Sequence, residues 1–334
     1  MEELVKRCAE ERQRKNHSGV MELANAILIE VVKEIVSGTR VERSYKEVVK
    51  SVAQVANSCS GSRYKNTEYA EAHLFLGKVF ETGIFYEKNV KKALSHYTEA
   101  AENANPTGCY KLAYFCEHGI CCSKDMEKAA HFYKLAANGG CGKGAHRYGK
   151  ILLEGEGGCK KDIKGGVFYL EQAKKLSTPN YPHAFFDLGL CYEGIPLVGS
   201  DVPQELEYAL KIYQEGDKMG CPRSAVRLGN AYHYGELGLT ANLETAVGYY
   251  KKAKEVSSEA CFELYKIYKN DAAESLAWIK SASELGHPDA IRIYARMLEI
   301  GEKVSQNRTL ALWWYKIAME RGVDTSKEMK RCKM

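Results

Sequence analysis

The sequence predicts an all-α protein: a right-handed α-solenoid of about seven helix–turn–helix repeats behind an N-terminal helical cap. One observation is a dipeptide that recurs every 30 to 40 residues, as in Leu76-Gly77 and Leu228-Gly229. A second is the segment NVKKALSHYTEAAENA, matched in phase by DMEKAAHFYKLAANGG and NRTLALWWYKIAMERG. Apolar residues in both half-motifs are spaced by three and four, as on helices. A single pair of short helices cannot bury its apolar stripe, so the pairs must stack.

Residues 1–69 show no clean repeat but contain two amphipathic helical patterns, SGVMELANAILIEVVKEIVSG and VERSYKEVVKSVAQVANS. We interpret them as a degenerate helix pair that caps the solenoid, because the ends of a stacked array need covering. A separate partner-binding or dimerising helical hairpin is the alternative.

Residues 70–322 form the repeats, and short polar residues and glycines mark their helix ends. A short acceptor side chain suits the N-cap of each second helix. The predicted N-caps are Asn89, Asp125, Asp162, Asn242, Asp271 and Asn307. In RLGNAYHYGELGL, Gly229 allows close helix packing, Gly235 suits a left-handed C-cap and Gly238 lies in a turn. The stretch is therefore a helix, its end and a turn, not a phosphate-binding loop. Residues 323–334 are basic and predict a solvated tail.

Composition excludes several classes of protein. The net charge of +5 is small for 334 residues. It does not suggest an electrostatic nucleic-acid binder, which usually has a concentrated basic face, so we predict no nucleic-acid partner. The most apolar early run, AILIEVV, is too short to span a membrane. Cys332 is third from the end, which does not meet a prenylation box, so direct membrane insertion is not expected. We see no secretory signal, which predicts a cytoplasmic protein with reduced cysteines.

Motifs for chemistry are weak. No Walker loop, G-x-S-x-G, H-E-x-x-H or G-x-G-x-x-G is present, so we predict neither an enzyme nor a cofactor. The best metal candidate is CEHGICC, with Cys116, His118, Cys121 and Cys122. It lacks paired C-x-x-C arms, and adjacent cysteines rarely reach one ion, so we predict packed thiols and no metal. GEGGCKKD is interpreted as the turn before the Asp162 cap.

The stretch GCYKLAYFCEHGICCSKDMEKAAHFYKLAANGG resembles Sel1-like repeats, relatives of tetratricopeptide repeats, and the resemblance covers roughly residues 70–322. YEGIPLVGSDVPQELEYALKIYQEGDKMG followed by SAVRLGNAYHYGELGL is similar to the repeat region of fungal chitin synthase regulatory (activator) factors. This resemblance implies a non-catalytic scaffold that docks on a chitin synthase, in the cytoplasm or recruited to the plasma membrane through that partner. A general Sel1-like adaptor in signalling or protein quality control and an enzyme with an unrecognised site are the alternatives.

The resemblance also implies where a partner binds. Ala72, Leu76 and Phe80 form the packed stripe of a first helix, and the opposite side lines a concave surface in related repeat folds. That side is aromatic in the middle and basic toward the C-terminus, which favours a groove for a partly acidic peptide. The predicted partner-binding residues are Tyr110, Tyr114, His146, Lys150, Phe186, Asn230, His233, Phe262, Lys266, Arg292 and Arg296.

Overall fold

The structure is a computed structural model that describes residues 2–36, 46–58, 67–179, 181–194 and 205–333. These residues form eighteen α-helices, and their one β feature is an isolated bridge between Thr178 and Tyr181. The predicted all-α repeat fold is confirmed. The chain divides into two compact units, Met1–Ser177 and Thr178–Met334.

The first unit contains three N-terminal helices and three helix pairs. The N-terminal helices are α1 (Glu2–Gln13), α2 (His17–Val36) and α3 (Lys46–Ser58). The pairs are α4 (Thr67–Thr82) with α5 (Val90–Glu102), α6 (Pro106–His118) with α7 (Met126–Asn138), and α8 (Gly142–Glu154) with α9 (Ile163–Lys175). Val31 and Val52 share one buried cluster with Phe75 and Val79 of α4. The N-terminal helices therefore cover an apolar side of the first pair, as a cap would.

The second unit contains four helix pairs and a final helix. The pairs are α10 (His183–Glu193) with α11 (Leu206–Lys218), α12 (Pro222–Tyr234) with α13 (Leu243–Ala253), α14 (Ser258–Ile267) with α15 (Ala272–Glu284), and α16 (Pro288–Ile300) with α17 (Arg308–Glu320). The final helix is α18 (Ser326–Lys333). Val323, Met329 and Cys332 pack against the core that contains Tyr315. The expectation of a solvated tail is wrong for this segment, because these three side chains supply an apolar stripe that docks it.

The predicted helix ends are confirmed. Each of the six predicted N-cap side chains accepts a hydrogen bond from the backbone amide three residues further on. Gly235 ends α12 with φ of 72°, in the left-handed region that favours glycine. Gly155 and Asp162 likewise end α8 and begin α9, so GEGGCKKD is an inter-helix turn.

The recurring glycine of the first helix packs against a tyrosine ring of the second. A Cβ atom at Gly229 would lie 2.5 Å from Cε1 of Tyr250, and Gly77 has the same relation to Tyr97. Both tyrosines are fully buried. This close approach explains why RLGNAYHYGELGL needs glycine within a helix. None of the helices in the described residues combines the length and apolar character needed to cross a membrane.

Candidate functional site

In the first unit, the four predicted partner-binding residues differ in exposure. Tyr114 is exposed, and its ring centroid lies 4.2 Å from that of His118. Tyr110 is half-buried, and burial raises the pKa of its hydroxyl. Lys150 is half-buried as well, whereas His146 is only 7% exposed. The prediction that His146 contacts a partner does not fit this burial, because a side chain that is 7% exposed offers almost no surface for contact.

In the second unit, four of the seven predicted residues line two cavities: Phe186 and Asn230 line the first, and Arg292 and Arg296 line the second. We call all seven predicted residues the partner face. Its members are Phe186, Asn230, His233, Phe262, Lys266, Arg292 and Arg296. All seven are half-buried or exposed, although three of them are aromatic or imidazole rings. A surface of this composition resembles the core of protein–protein interfaces.

The first cavity has a volume of about 330 Å³ and joins α10, α12 and α14. Its lining comprises Phe186, Arg223, Val226, Arg227, Asn230, Ser257 and Glu259. The guanidinium of Arg223 lies 3.9 Å from the ring centroid of Phe186, and its Nη1 atom lies 3.3 Å from Oδ1 of Asp187. Arg223 stacks on the Phe186 ring and pairs with Asp187, so its positive charge lies over an aromatic ring at the wall of the cavity.

Asn230 and His233 meet at one buried hydroxyl. Tyr250 Oη donates a 2.7 Å hydrogen bond to Asn230 Oδ1, and His233 Nδ1 lies 3.5 Å from the same hydroxyl. The side-chain NH₂ of Asn230 forms no hydrogen bond within the described residues, so it remains a donor at the cavity. His233 therefore contacts the site through the hydroxyl of Tyr250. Its ring stacks on that of Tyr234, with the ring centroids 4.3 Å apart.

Phe262 lies in a cluster of rings and charges beside the first cavity. Its ring centroid is 4.1 Å from that of His287, and Lys266 Nζ lies 5.6 Å above it. Lys266 forms an ion pair with the buried carboxylate of Glu263. His287 Nε2 lies 3.3 Å from Glu259, while Nδ1 accepts from the Ala290 amide, which places the imidazole proton on Nε2.

The second cavity, of about 210 Å³, lies between α16 and α18. It is lined by Arg292, Ile293, Arg296, Tyr315, Glu328 and Arg331. Arg331 bonds to Glu299 through Nε and Nη2 at 3.0 and 3.1 Å. The two predicted arginines are thus brought together with a third that the sequence reasoning missed.

Several lining residues escaped the sequence reasoning, although a signal for two of them exists. Glu259 precedes the predicted Phe262 by three residues, and Arg223 precedes the predicted Asn230 by seven. Extending the predicted side of each helix by one or two turns toward the N-terminus would have found both. Arg331 lies on α18, outside the repeat, so this extension does not reach it.

The metal candidate is dispersed by the fold. Cys116 is buried, and burial raises the pKa of its thiol to about 11, whereas His118 and Cys121 are exposed. Cys122 Sγ contacts the carbonyl of Phe115 at 3.5 Å. The part of the chain that the structure describes contains no group of three or more His, Cys, Asp or Glu side chains placed to hold a metal ion.

Comparison with known proteins identifies the repeats. Six segments match the Sel1 repeat family model: residues 70–105, 106–141, 142–177, 222–256, 260–287 and 288–323. The crystal structure of a Sel1 repeat protein from Oxalobacter formigenes superposes with a TM-score of 0.62, at 19% identity, and covers 97% of this chain and 88% of that one. The pair α10–α11 lies outside the six matched segments, yet it has the same two-helix form.

Two fungal proteins are similar in sequence. Chitin synthase regulatory factor 3 of Schizosaccharomyces pombe is 27% identical over 277 residues, which is 80% of this chain and 29% of that protein. The chitin synthase regulator SKT5 of Saccharomyces cerevisiae is 24% identical over 263 residues, which is 75% of this chain and 37% of that protein. The chain therefore spans about a third of the length of these relatives.

Proposed function

The chain belongs to the Sel1 repeat family, and we propose that it is a non-catalytic scaffold that binds a protein partner through the partner face. The observation that carries this proposal is the cavity of about 330 Å³ on that face. An aromatic ring, a stacked guanidinium and a free amide NH₂ meet there, and such groups anchor protein interfaces.

We further propose that the partner is a chitin synthase and that the chain regulates it. The names of the two fungal relatives support this partner. The matched regions cover most of this chain but about a third of each relative. The proposed location is the cytoplasm, with recruitment to the plasma membrane through the synthase.

Affinity capture from the source cells, analysed by mass spectrometry, tests the partner. The tagged full chain should enrich a chitin synthase over an unrelated helical-repeat bait. If no cell-wall enzyme is enriched, the proposed partner is wrong.

Affinity capture with variants of the tagged chain tests the partner face. Phe186→Ala should reduce the recovered synthase by about tenfold or more, since aromatic anchors commonly contribute 2 kcal/mol or more to binding. Phe168→Ala is the matched control, because Phe168 is a phenylalanine with 56% exposure on α9, a helix that carries none of the partner-face residues. Circular dichroism establishes that both variants are folded. Equal recovery with Phe186→Ala and wild type would contradict the assignment of this face.

A further inference from the structure

The helix α18 occupies the place of a further first helix. In earlier pairs, a cation of the next first helix reaches back to a glutamate: Arg147 Nη2 lies 2.6 Å from Glu117, and Arg227 bonds to Glu193. Arg331 of α18 makes the same contact with Glu299. The docked α18 therefore closes one wall of a cavity that α16 alone would leave open.

That cavity concentrates cations with unfilled hydrogen-bonding capacity. Arg292 and Arg296 lie one turn apart on α16, and both side chains are exposed. Neither forms a hydrogen bond or ion pair within the residues that the structure describes. The third arginine, Arg331, and the hydroxyl of Tyr315 are already bonded to Glu299. Two guanidinium groups are thus available to one ligand.

The charges at the cavity select the kind of ligand. Arg292, Arg296 and Arg331 carry three positive charges, while Glu299 and Glu328 carry two negative ones, which leaves one positive charge. A carboxylate neutralises that charge and matches the planar fork of a guanidinium. A phosphate group, at about −1.5 to −2, would exceed it.

We propose that the cavity between α16 and α18 binds the carboxylate of an acidic side chain in an extended segment of the partner protein. The proposal rests on the proposed function for the existence of a partner, but its chemistry can be tested without that partner. The site is composite: α16 supplies the free arginines, and α18 supplies the wall that holds the carboxylate against them.

The test uses the full chain and three capped tetrapeptides: tetraglutamine, the same peptide with one glutamine replaced by glutamate, and the same peptide with that residue replaced by phosphoserine. Side-chain Nε–H NMR signals of Arg292 and Arg296 report binding. The glutamate peptide should shift both signals saturably and bind about tenfold or more tightly than tetraglutamine, because only the glutamate peptide forms charge-assisted hydrogen bonds. Tighter binding of the phosphoserine peptide than of the glutamate peptide, or no saturable shift with the glutamate peptide, would overturn the proposal.

Variants separate this site from the proposed function. Arg292→Gln/Arg296→Gln should lose binding of the glutamate peptide and reduce partner capture, whereas the lysine double variant should retain part of both because it keeps the charges. Arg308→Gln, at an exposed arginine of α17 outside the cavity, is the control. Full partner capture by the folded glutamine double variant would overturn the carboxylate site while leaving the scaffold function intact. Binding of the glutamate peptide without any captured synthase would support the site and contradict the proposed partner.

Discussion

The hydroxyl of Tyr133 donates a 2.6 Å hydrogen bond to a carboxylate oxygen of Glu117. The other oxygen of Glu117 accepts from Arg147 of the next first helix, at 2.6 and 2.9 Å. One carboxylate therefore joins three helices and satisfies a hydroxyl at the edge of the core. We call this arrangement the tyrosine–glutamate–cation relay. It recurs as Tyr97–Glu81–Lys111, Tyr213–Glu193–Arg227 and Tyr315–Glu299–Arg331.

Removing the carboxylate of a relay should destabilise the protein more than removing the hydroxyl. Tyr133→Phe loses one hydrogen bond and should cost about 1 kcal/mol. Glu117→Ala leaves the buried Tyr133 hydroxyl without its acceptor and leaves Arg147 only its longer pairs with Glu154 and Glu156, so it should cost about 2–3 kcal/mol. Urea unfolding measures both. Glu207→Ala is the control, since the pair of Glu207 with Lys211 is exposed and should contribute under about 0.5 kcal/mol. An equal loss for all three variants would contradict the relay.

The relay also predicts how stability depends on pH. Burial by itself raises the pKa of Glu117, but the hydrogen bonds from Arg147 and Tyr133 outweigh it, so the pKa lies below its usual value of 4.5. The folded state therefore binds this proton less readily than the unfolded state. The ionised carboxylate of Glu117 stabilises the fold fully above the pKa that it has in the unfolded state. This stabilisation is lost as the pH falls through the pKa of Glu117 in the folded state.

Glutamine at position 117 is uncharged, like the protonated carboxyl group. The variant Glu117→Gln therefore measures how much the negative charge of Glu117 stabilises the fold. The Tm of Glu117→Gln should be below that of the wild type at pH 7, and the difference should narrow as the pH falls from 5 toward 3. A difference that is constant over this range would show that the charge of Glu117 does not stabilise the fold.

The repeats and their helix ends could be predicted because their signals are local. Asn242 bonds to an amide three residues away, and Gly235 adopts its own left-handed conformation, so a short window of sequence contains the cause. The relay joins residues 16 to 34 positions apart, so no short window of sequence contains it. The recurring order glutamate, tyrosine, then lysine or arginine is the signal that could have revealed it.

The partner face was predictable in part for the same reason. Periodicity assigned Phe186 and Asn230 to one side of their helices, and the fold places both at one cavity. It could not show that His146 is buried, because a helical period does not say which neighbouring helix covers a position. Nor could it predict that α18 docks and brings Arg331 beside Arg296.

The glycine–tyrosine contacts predict opposite effects for two glycine substitutions within helices. A Cβ atom at Gly229 would meet the ring of the buried Tyr250, so Gly229→Ala should overpack the pair and cost about 1–3 kcal/mol. At Gly248, in α13, no atom beyond the adjacent residues and the surrounding backbone of the same helix lies within 4 Å of the added carbon. Gly248→Ala should therefore stabilise the protein by about 0.5–1 kcal/mol through helix propensity.

Thermal melts of these two variants and the wild type provide the measurement. A Gly229→Ala variant that melts at or above the wild-type temperature would contradict the packing role of Gly229. The matched substitution at Gly248 shows whether the sign of the effect comes from the contact rather than from helix propensity.

The pair His73 and His96 predicts a second, separate pH dependence. Their Nδ1 atoms lie 3.1 Å apart, so one imidazole donates and the other accepts, and His96 stacks on Phe80 at 5.6 Å. Burial, followed by the neighbouring His73, lowers the pKa of His96 from 6.5 to about 4, against an opposing effect of Glu99. The unfolded state therefore binds this proton more readily, and stability should fall as the pH decreases from 6.5 toward 4.

An NMR titration should show the His96 signal unchanged between pH 8 and 5.5 in the folded chain but titrating near 6.5 in urea. His96→Gln should reduce the drop in Tm between pH 7 and pH 5, because glutamine keeps a hydrogen-bonding group without a titrating proton. A His96 signal that titrates alike in both states would contradict this account of the pair.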